Sequence, residues 1–231
     1  MTARAPANLR DVGTMVVVGG GRTRVGALLR SDAPYDGDDL SILDAVPVRT
    51  VIDLRSEYEA VRRPYRWSPT VTVHRHSLYD AGDLSSLSPA MTLTELYRDM
   101  LTASRSRIAL LPKLLGHGNA TLIHCTAGKD RTGMAIGALL LLVGVDPTDV
   151  VRDYRATEDN MPAVLERAHD AEVIPSTLMR PEWVQAPDVA IDVLIDEVTR
   201  WPGGVRAWFL DHGASPDDLD STIAWLTTRE N

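Results

Sequence analysis

A cysteine and an arginine are separated by five residues in His124-Cys125-Thr126-Ala127-Gly128-Lys129-Asp130-Arg131-Thr132-Gly133. The segment follows a short apolar, β-branched run, Thr121-Leu122-Ile123, and leads into the apolar stretch that begins at Met134. If the five intervening residues curl about one point between a buried strand and a helix, the backbone N–H groups of Thr126, Ala127, Gly128, Lys129 and Asp130 converge with the helix N-terminus. That is a concave nest of donors suited to a phosphate dianion. The planar fork of Arg131 can bind two phosphate oxygens and then stabilise charge that develops in a transition state, which a lysine could not do with the same geometry. The same amides and helix dipole favour a thiolate at Cys125 and make its sulfur a nucleophile at neutral pH. A lone cysteine ending an apolar strand is more often structural. Here Gly128 and Gly133 supply backbone freedom and Thr132 sets a hydroxyl beside the arginine, so the joint pattern reads as a phosphate-binding thiol site.

The elements that must hold this segment follow from periodicity. Short strands are expected at Met15 to Val18, Gly26 to Arg30, Thr50 to Leu54, Val71 to His76 and Thr121 to His124, and helices at Asp38 to Ala45, Leu93 to Leu101 and Ile108 to Leu115. A helix begins near Arg131, and beyond Val145 the chain reads helical, with N-terminal signals at Asp146-Pro147 and Ser215-Pro216. Pro175, Pro181 and Pro187 break residues 172–188 into a loop or short helices, a candidate lid. Strands alternating with helices and then a helical tail predict an α/β sandwich with a central, mostly parallel sheet, flanking helices and a helical C-terminal part. A length of 231 residues fits one domain over 1–231, with a helical insertion or lid at approximately 155–200.

Composition narrows the chemistry. The net charge of −8 disfavours a nucleic-acid partner. Of the 24 basic residues only two are lysines, Lys113 and Lys129, so a lysine inside the loop stands out. The single cysteine excludes an intramolecular disulfide and points to a reducing, cytoplasmic setting, with export lacking a signal peptide left open. The longest apolar stretch, Met134 to Val145, is 12 residues against the roughly 20 a membrane-spanning helix needs, so it reads as a buried core helix. His74 and His76 share one face of a strand but lack a third ligand, and no metal is expected. The basic run Arg62-Arg63-Pro64-Tyr65-Arg66 reads first as a solvated face.

The loop resembles the signature of cysteine-dependent protein tyrosine phosphatases, and its Ala-Gly-Lys-Asp-Arg-Thr-Gly form is similar to that of a bacterial group within them. Asn8-Leu9-Arg10-Asp11, Leu29-Arg30-Ser31, Asp53-Leu54-Arg55-Ser56 and, more loosely, Asp153-Tyr154 and the tail Arg206 to Leu226 extend the resemblance over nearly the whole chain. The resemblance implies an α/β sandwich and hydrolysis of a phosphomonoester through a phosphocysteine, with no cofactor and with inorganic phosphate as product. It implies that Cys125 is the nucleophile and Arg131 the phosphate clamp, that Thr132 steadies the thiolate and that His124 tunes it from beneath. The general acid is Asp130 within the loop or Asp80 on an upstream loop. Lys129, at a position where phosphoinositide phosphatases also carry lysine, widens the substrate from phosphotyrosine protein to phosphoinositide. Asp53 and Arg55 line the site or form a structural ion pair. Two other readings stay beside this one. A rhodanese-like sulfurtransferase is suggested by Asp53-Leu54-Arg55-Ser56-Glu57-Tyr58, although Cys125 lies 72 residues beyond Asp53. A catalytically silent module that binds phosphate or phosphoinositide is the other.

Overall fold

The strand that ends at the cysteine is the middle of the molecule. The structure, a computed structural model, describes residues 5–40, 46–79, 92–171 and 185–228. In chain order the strands are β1 (Arg10–Asp11), β2 (Arg22–Thr23), β3 (Leu28–Ser31), β4 (Val48–Asp53), β5 (Thr72–Arg75), β6 (Ala120–His124) and β7 (Thr227–Thr228). The helices are α1 (Glu57–Arg62), α2 (Leu93–Ala109), α3 (Leu111–Leu114), α4 (Asp130–Leu142), α5 (Pro147–Asp170), α6 (Asp188–Arg200), α7 (Gly204–Asp211) and α8 (Pro216–Leu226).

Five strands form one sheet in the order β1-β3-β6-β4-β5, parallel throughout except for β1, which runs antiparallel to β3. All residues of β3 and β6 are buried, as expected for inner parallel strands covered on both faces. Register aligns Ser31, His124 and Asp53 across β3, β6 and β4. The C-terminal ends of three parallel strands therefore finish together, where α/β sheets characteristically bind ligands.

On one face of the sheet α4 is buried from Thr132 through Leu142, an all-round apolar helix enclosed by other helices. Gly137 admits this packing, because a Cβ there would lie 3.0 Å from Leu194 and 3.3 Å from Val150. The opposite face, Leu29, Val48, Val51, Ala120 and Leu122, is covered by Leu9, Leu40, Val46 and Trp67, none of them helical. Among the described residues no helix is long and apolar enough to cross a membrane.

Several expected elements differ. The run Met15 to Val18 makes only isolated bridges, Val16 with Arg22 and Val17 with Val145, because Gly19, Gly20 and Gly21 all take positive φ and turn the chain at once. The boundary expected between Leu101 and Ile108 falls elsewhere: α2 runs unbroken from a capping box of Thr92 and Glu95 to Ala109, Pro112 cannot continue it, and α3 is a single turn with that proline near its start. The tail is not wholly helical, since β7 leaves α8 to pair antiparallel with β2. Residues 38–40 are not helical, and 41–45 lie outside the described residues, as do 172–184 of the expected lid.

Candidate active site

Between β6 and α4 the loop turns through Gly128, whose φ is +68°. A Cβ at this position would lie 2.4 Å from the carbonyl oxygen of Ser31, so the loop rests directly on the end of β3. Three successive carbonyls are drawn to that side. Thr126 O accepts from the Ala33 amide at 3.0 Å, and Ala127 O accepts from Asn8 Nδ2 at 3.3 Å. Gly128 O accepts from Asn8 Nδ2 at 3.0 Å and from Arg30 at 2.7 Å. In a planar trans peptide the N–H points opposite to the C=O, so the amides of Ala127, Gly128 and Lys129 turn the other way. They join the first turn of α4, whose N-cap, Lys129, makes no side-chain cap. These amides and the helix-end N–H groups lie on the side away from β3, where the sequence predicts a donor nest for an anion.

The supports of the nest are themselves fixed. Asn8 Oδ1 accepts from Arg10 and, at 3.2 Å, from Asn160, which orients the amide with its donors toward the loop. Arg30, fully buried, is paired with Asp153 of α5, which also accepts from Arg10 at 2.9 Å. Asp32 receives the Asn8 amide at 2.8 Å and Arg167 at 3.0 Å, and Arg167 forks onto Asp38. Buried charge is thus paired at every step, as it must be.

Arg131, at the second position of α4, is held end-on. Its two terminal nitrogens donate to Glu59 at 2.6 and 2.8 Å, and the Thr126 hydroxyl donates to the same carboxylate at 2.6 Å. Glu59 sits there because it closes the capping box of α1 with Ser56. Burial would raise its pKa, but the bonds and charge of Arg131, with Thr126 and Ser56, outweigh that and hold it at about 2. For Arg131, burial is likewise outweighed, by Glu59 and by the charges of Cys125 and Asp130, and its pKa is raised. A guanidinium has five N–H donors, so this end-on pair leaves the Nε side for a phosphate.

Cys125 is buried at the start of the loop. The Thr132 hydroxyl is buried and has no hydrogen-bond partner in the described structure. Asp130 accepts from the Tyr97 hydroxyl at 2.8 Å, and Lys129 Nζ stands 3.5 Å from the same oxygen.

The matches to known proteins agree with this geometry. The model of the tyrosine phosphatase family matches residues 1–228. The chain belongs to the tyrosine phosphatase family. It is 30% identical to the triple specificity protein phosphatase PtpB of Mycobacterium tuberculosis over 258 aligned positions, covering 95% of this chain and 88% of that one. It is 32% identical over 160 positions to a Cupriavidus necator protein that carries a tyrosine-phosphatase name, covering 64% of this chain and only 59% of the relative. A tyrosine-protein phosphatase of Nostoc commune is 32% identical over 124 positions, half of this chain and 42% of that one.

For a tyrosine phosphatase the remaining candidates fall into place unevenly. Cys125, Thr126, Ala127, Gly128, Lys129, Asp130, Arg131 and Thr132 form one loop and helix start. His124 lies beneath it, fully buried, with Nδ1 3.3 Å from Cys125 O and 3.9 Å from Asp53. Burial, only partly offset by Asp53, lowers its pKa to about 4, so the imidazole is neutral at pH 7. Asp53 is held at about 2: burial raises it, and His124 and the Arg55 fork lower it, Arg55 being the partner still charged at neutral pH. Asp53 and Arg55 form a buried ion pair below the loop rather than part of its rim. Asp80 lies outside the described residues. Lys129, expected among the phosphate-binding residues, has a side chain 3% exposed, and its Nζ donates to Gln185 O at 2.9 Å. His76 Nε2 pairs with Arg107 O at 2.8 Å. Sequence reasoning missed Glu59, although Ser56-x-x-Glu59 is a legible capping-box spacing.

Proposed function

We propose that this chain hydrolyses phosphomonoesters, phosphotyrosine in proteins first, through a phosphocysteine. The observation that carries the reading is the set of three loop carbonyls turned onto β3 and the N-terminal segment, which turns the amides of Ala127, Gly128 and Lys129 the other way. In the first step Cys125 Sγ attacks phosphorus, the bond to the tyrosyl oxygen breaks, and Asp130 gives that oxygen a proton. In the second, water attacks the phosphocysteine while Asp130 takes its proton, and phosphate leaves as the thiolate returns. Arg131 and the loop amides hold the phosphoryl oxygens throughout. Thr132, with its unpaired buried hydroxyl, donates to the departing sulfur. His124, Asp53 and Arg55 serve as a floor. Residues 1–231 act as one catalytic domain, a reading supported by the family match through 228. A single thiol suits a reducing, cytoplasmic compartment.

Phosphoinositides are a second reading, favoured by the Lys129 cation beside Asp130 and by the name of the mycobacterial relative. It requires Lys129 to leave Gln185 when a second phosphate arrives. The test is phosphate release by wild type, Cys125→Ser and Asp130→Asn from a phosphotyrosine peptide and a phosphoinositide panel. Wild-type activity lost in Cys125→Ser supports the thiol mechanism, and the panel assigns the substrate. A wild type that binds a substrate and releases nothing from any would make the chain a silent phosphate-binding module.

A further inference from the structure

We propose that Tyr97, backed by Tyr154, is a positioning residue that holds Oδ1 of Asp130 and thereby makes Oδ2 the oxygen that carries the catalytic proton. The inference rests on Asp130 being the general acid and adds what aims it. Asp130 is one-third exposed at the first turn of α4, and a carboxylate so placed would sample several rotamers without an anchor.

The anchor is built from two other helices. The Tyr97 hydroxyl of α2 donates to Asp130 Oδ1 at 2.8 Å, and the hydroxyls of Tyr97 and Tyr154 are 2.6 Å apart. Tyr97 has one proton and spends it on Asp130, so Tyr154 is the donor in the second bond and the chain runs Tyr154 to Tyr97 to Asp130. Both rings are buried and meet edge to face, with centroids 6.1 Å apart at 81°. Burial and the neighbouring Asp130 charge raise the pKa of both phenols, which therefore stay protonated donors in the range where the site works. Lys129 Nζ also faces Oδ1, at 3.5 Å, so both anchoring groups address the same oxygen.

Gly133 belongs to this device. A Cβ there would lie 2.9 Å from Cδ2 of Tyr154, so the glycine that ends the loop motif is what lets the Tyr154 ring lie against α4. In the reaction Oδ2 passes its proton to the leaving oxygen as the bond from that oxygen to phosphorus breaks and the bond from sulfur to phosphorus forms. The tyrosines keep their protons.

A residue that aims a general acid changes how the rate depends on the basicity of the leaving group, whereas one that merely supports the fold lowers all rates alike. The test measures kcat/KM, which reports transfer to Cys125, over aryl phosphates from acidic nitrophenols to unsubstituted phenol. For Tyr97→Phe, phenyl phosphate is expected to lose about tenfold more than dinitrophenyl phosphate, a fraction of the ~10²–10⁴ that a positioned acid supplies. Tyr154→Phe should steepen the dependence less. Tyr97→Phe in an Asp130→Asn background should add no further leaving-group dependence. A uniform loss across the series in Tyr97→Phe, with a steepened series in Asp130→Asn, overturns the inference and spares the acid assignment. An unchanged series in Asp130→Asn overturns the acid assignment and the inference together. If Tyr97→Phe does not fold, Tyr154→Phe decides: a wild-type series there overturns the proposal.

Discussion

Glu59 and Arg131, 72 residues apart, meet through two charge-assisted hydrogen bonds of 2.6 and 2.8 Å. The pair joins the first turn of α1 to the first turn of α4 and sets the plane of the guanidinium. Because it is end-on, it spares the Nε edge. Arg131 is thus held in one orientation, and the rotamer freedom a long side chain would lose on binding a ligand has already been given up in folding.

Replacing Glu59 with Gln removes the charge and leaves Arg131 free to turn. Bonds to charged groups contribute about 1.5–3 kcal/mol each, so kcat/KM is expected to fall roughly 10- to 100-fold, with inorganic phosphate weakened as a competitive inhibitor. An unchanged inhibition constant for phosphate would show that the pair does not orient the clamp.

Gly128→Ala combines a positive φ with a Cβ set 2.4 Å from Ser31 O. The strain of the φ value alone is about 1–3 kcal/mol, and the contact with backbone cannot be relieved by a side-chain rotation. Loss of most phosphatase activity together with a lowered Tm is expected. Thermal unfolding and phosphate release measured on the same sample check it, and a fully active variant would contradict the described loop path.

Stability should fall with acid in two stages. The folded pKa of His124 is about 4 against an ordinary 6.5, so between these values the unfolded chain binds a proton the folded one refuses. Stability is therefore full above about 6.5 and declines as pH falls toward about 4, with His76 and His117 shifted in the same direction. Below that, Glu59 and Asp53, both held at about 2, lose their contribution as they protonate. Urea unfolding across this range should show the slope, and His124→Asn should flatten its upper part. A wild-type profile that is level from pH 7 to 4 would refute the assignment.

Arg30→Met takes a donor from Gly128 O and leaves the buried Asp153 carboxylate to Arg10 alone. Breaking a buried pair from one side costs about 3–5 kcal/mol. Denaturant unfolding should show a loss of that size, and the double variant Arg30→Met/Asp153→Leu should recover part of it. No recovery would mean that the stranded carboxylate is not the source of the loss.

The loop was legible because its chemistry is local: strand, cysteine, glycine, arginine and helix start are contiguous in sequence. The inner strands were legible for a similar reason, since β6 is a short apolar run bounded by turn residues. What positions the loop was not. Asn8, Arg30, Glu59 and Asp153 are distant in sequence, and a single chain offers no periodic signal that an arginine at residue 30 will meet an aspartate at 153. Asp53 and Arg55 carried two readings; they form a buried ion pair, with Asp53 beside His124 in the strand register. Lys129 read as a phosphate ligand from its place in the loop and from the resemblance, whereas its burial against Gln185 depends on where the segment leading into α6 lies. The split predicted within α2 shows the limit of periodicity, because the Ser104 hydroxyl bonds to Leu78 O and the helix continues through a polar stretch.

The pairing of Arg30 with Asp153 also has a consequence for biosynthesis. In synthesis the last residue of the signature loop, Gly133, is joined to the chain before the first residue of α5, Pro147. Until Asp153 follows, a nascent chain carries Arg30 without its buried counter-charge and Gly128 O without a fixed donor. The loop residues are then all present, but the nest is not set. The loop is thus completed late in synthesis, because its braces on Arg30 and Asn8 both close only when α5 docks.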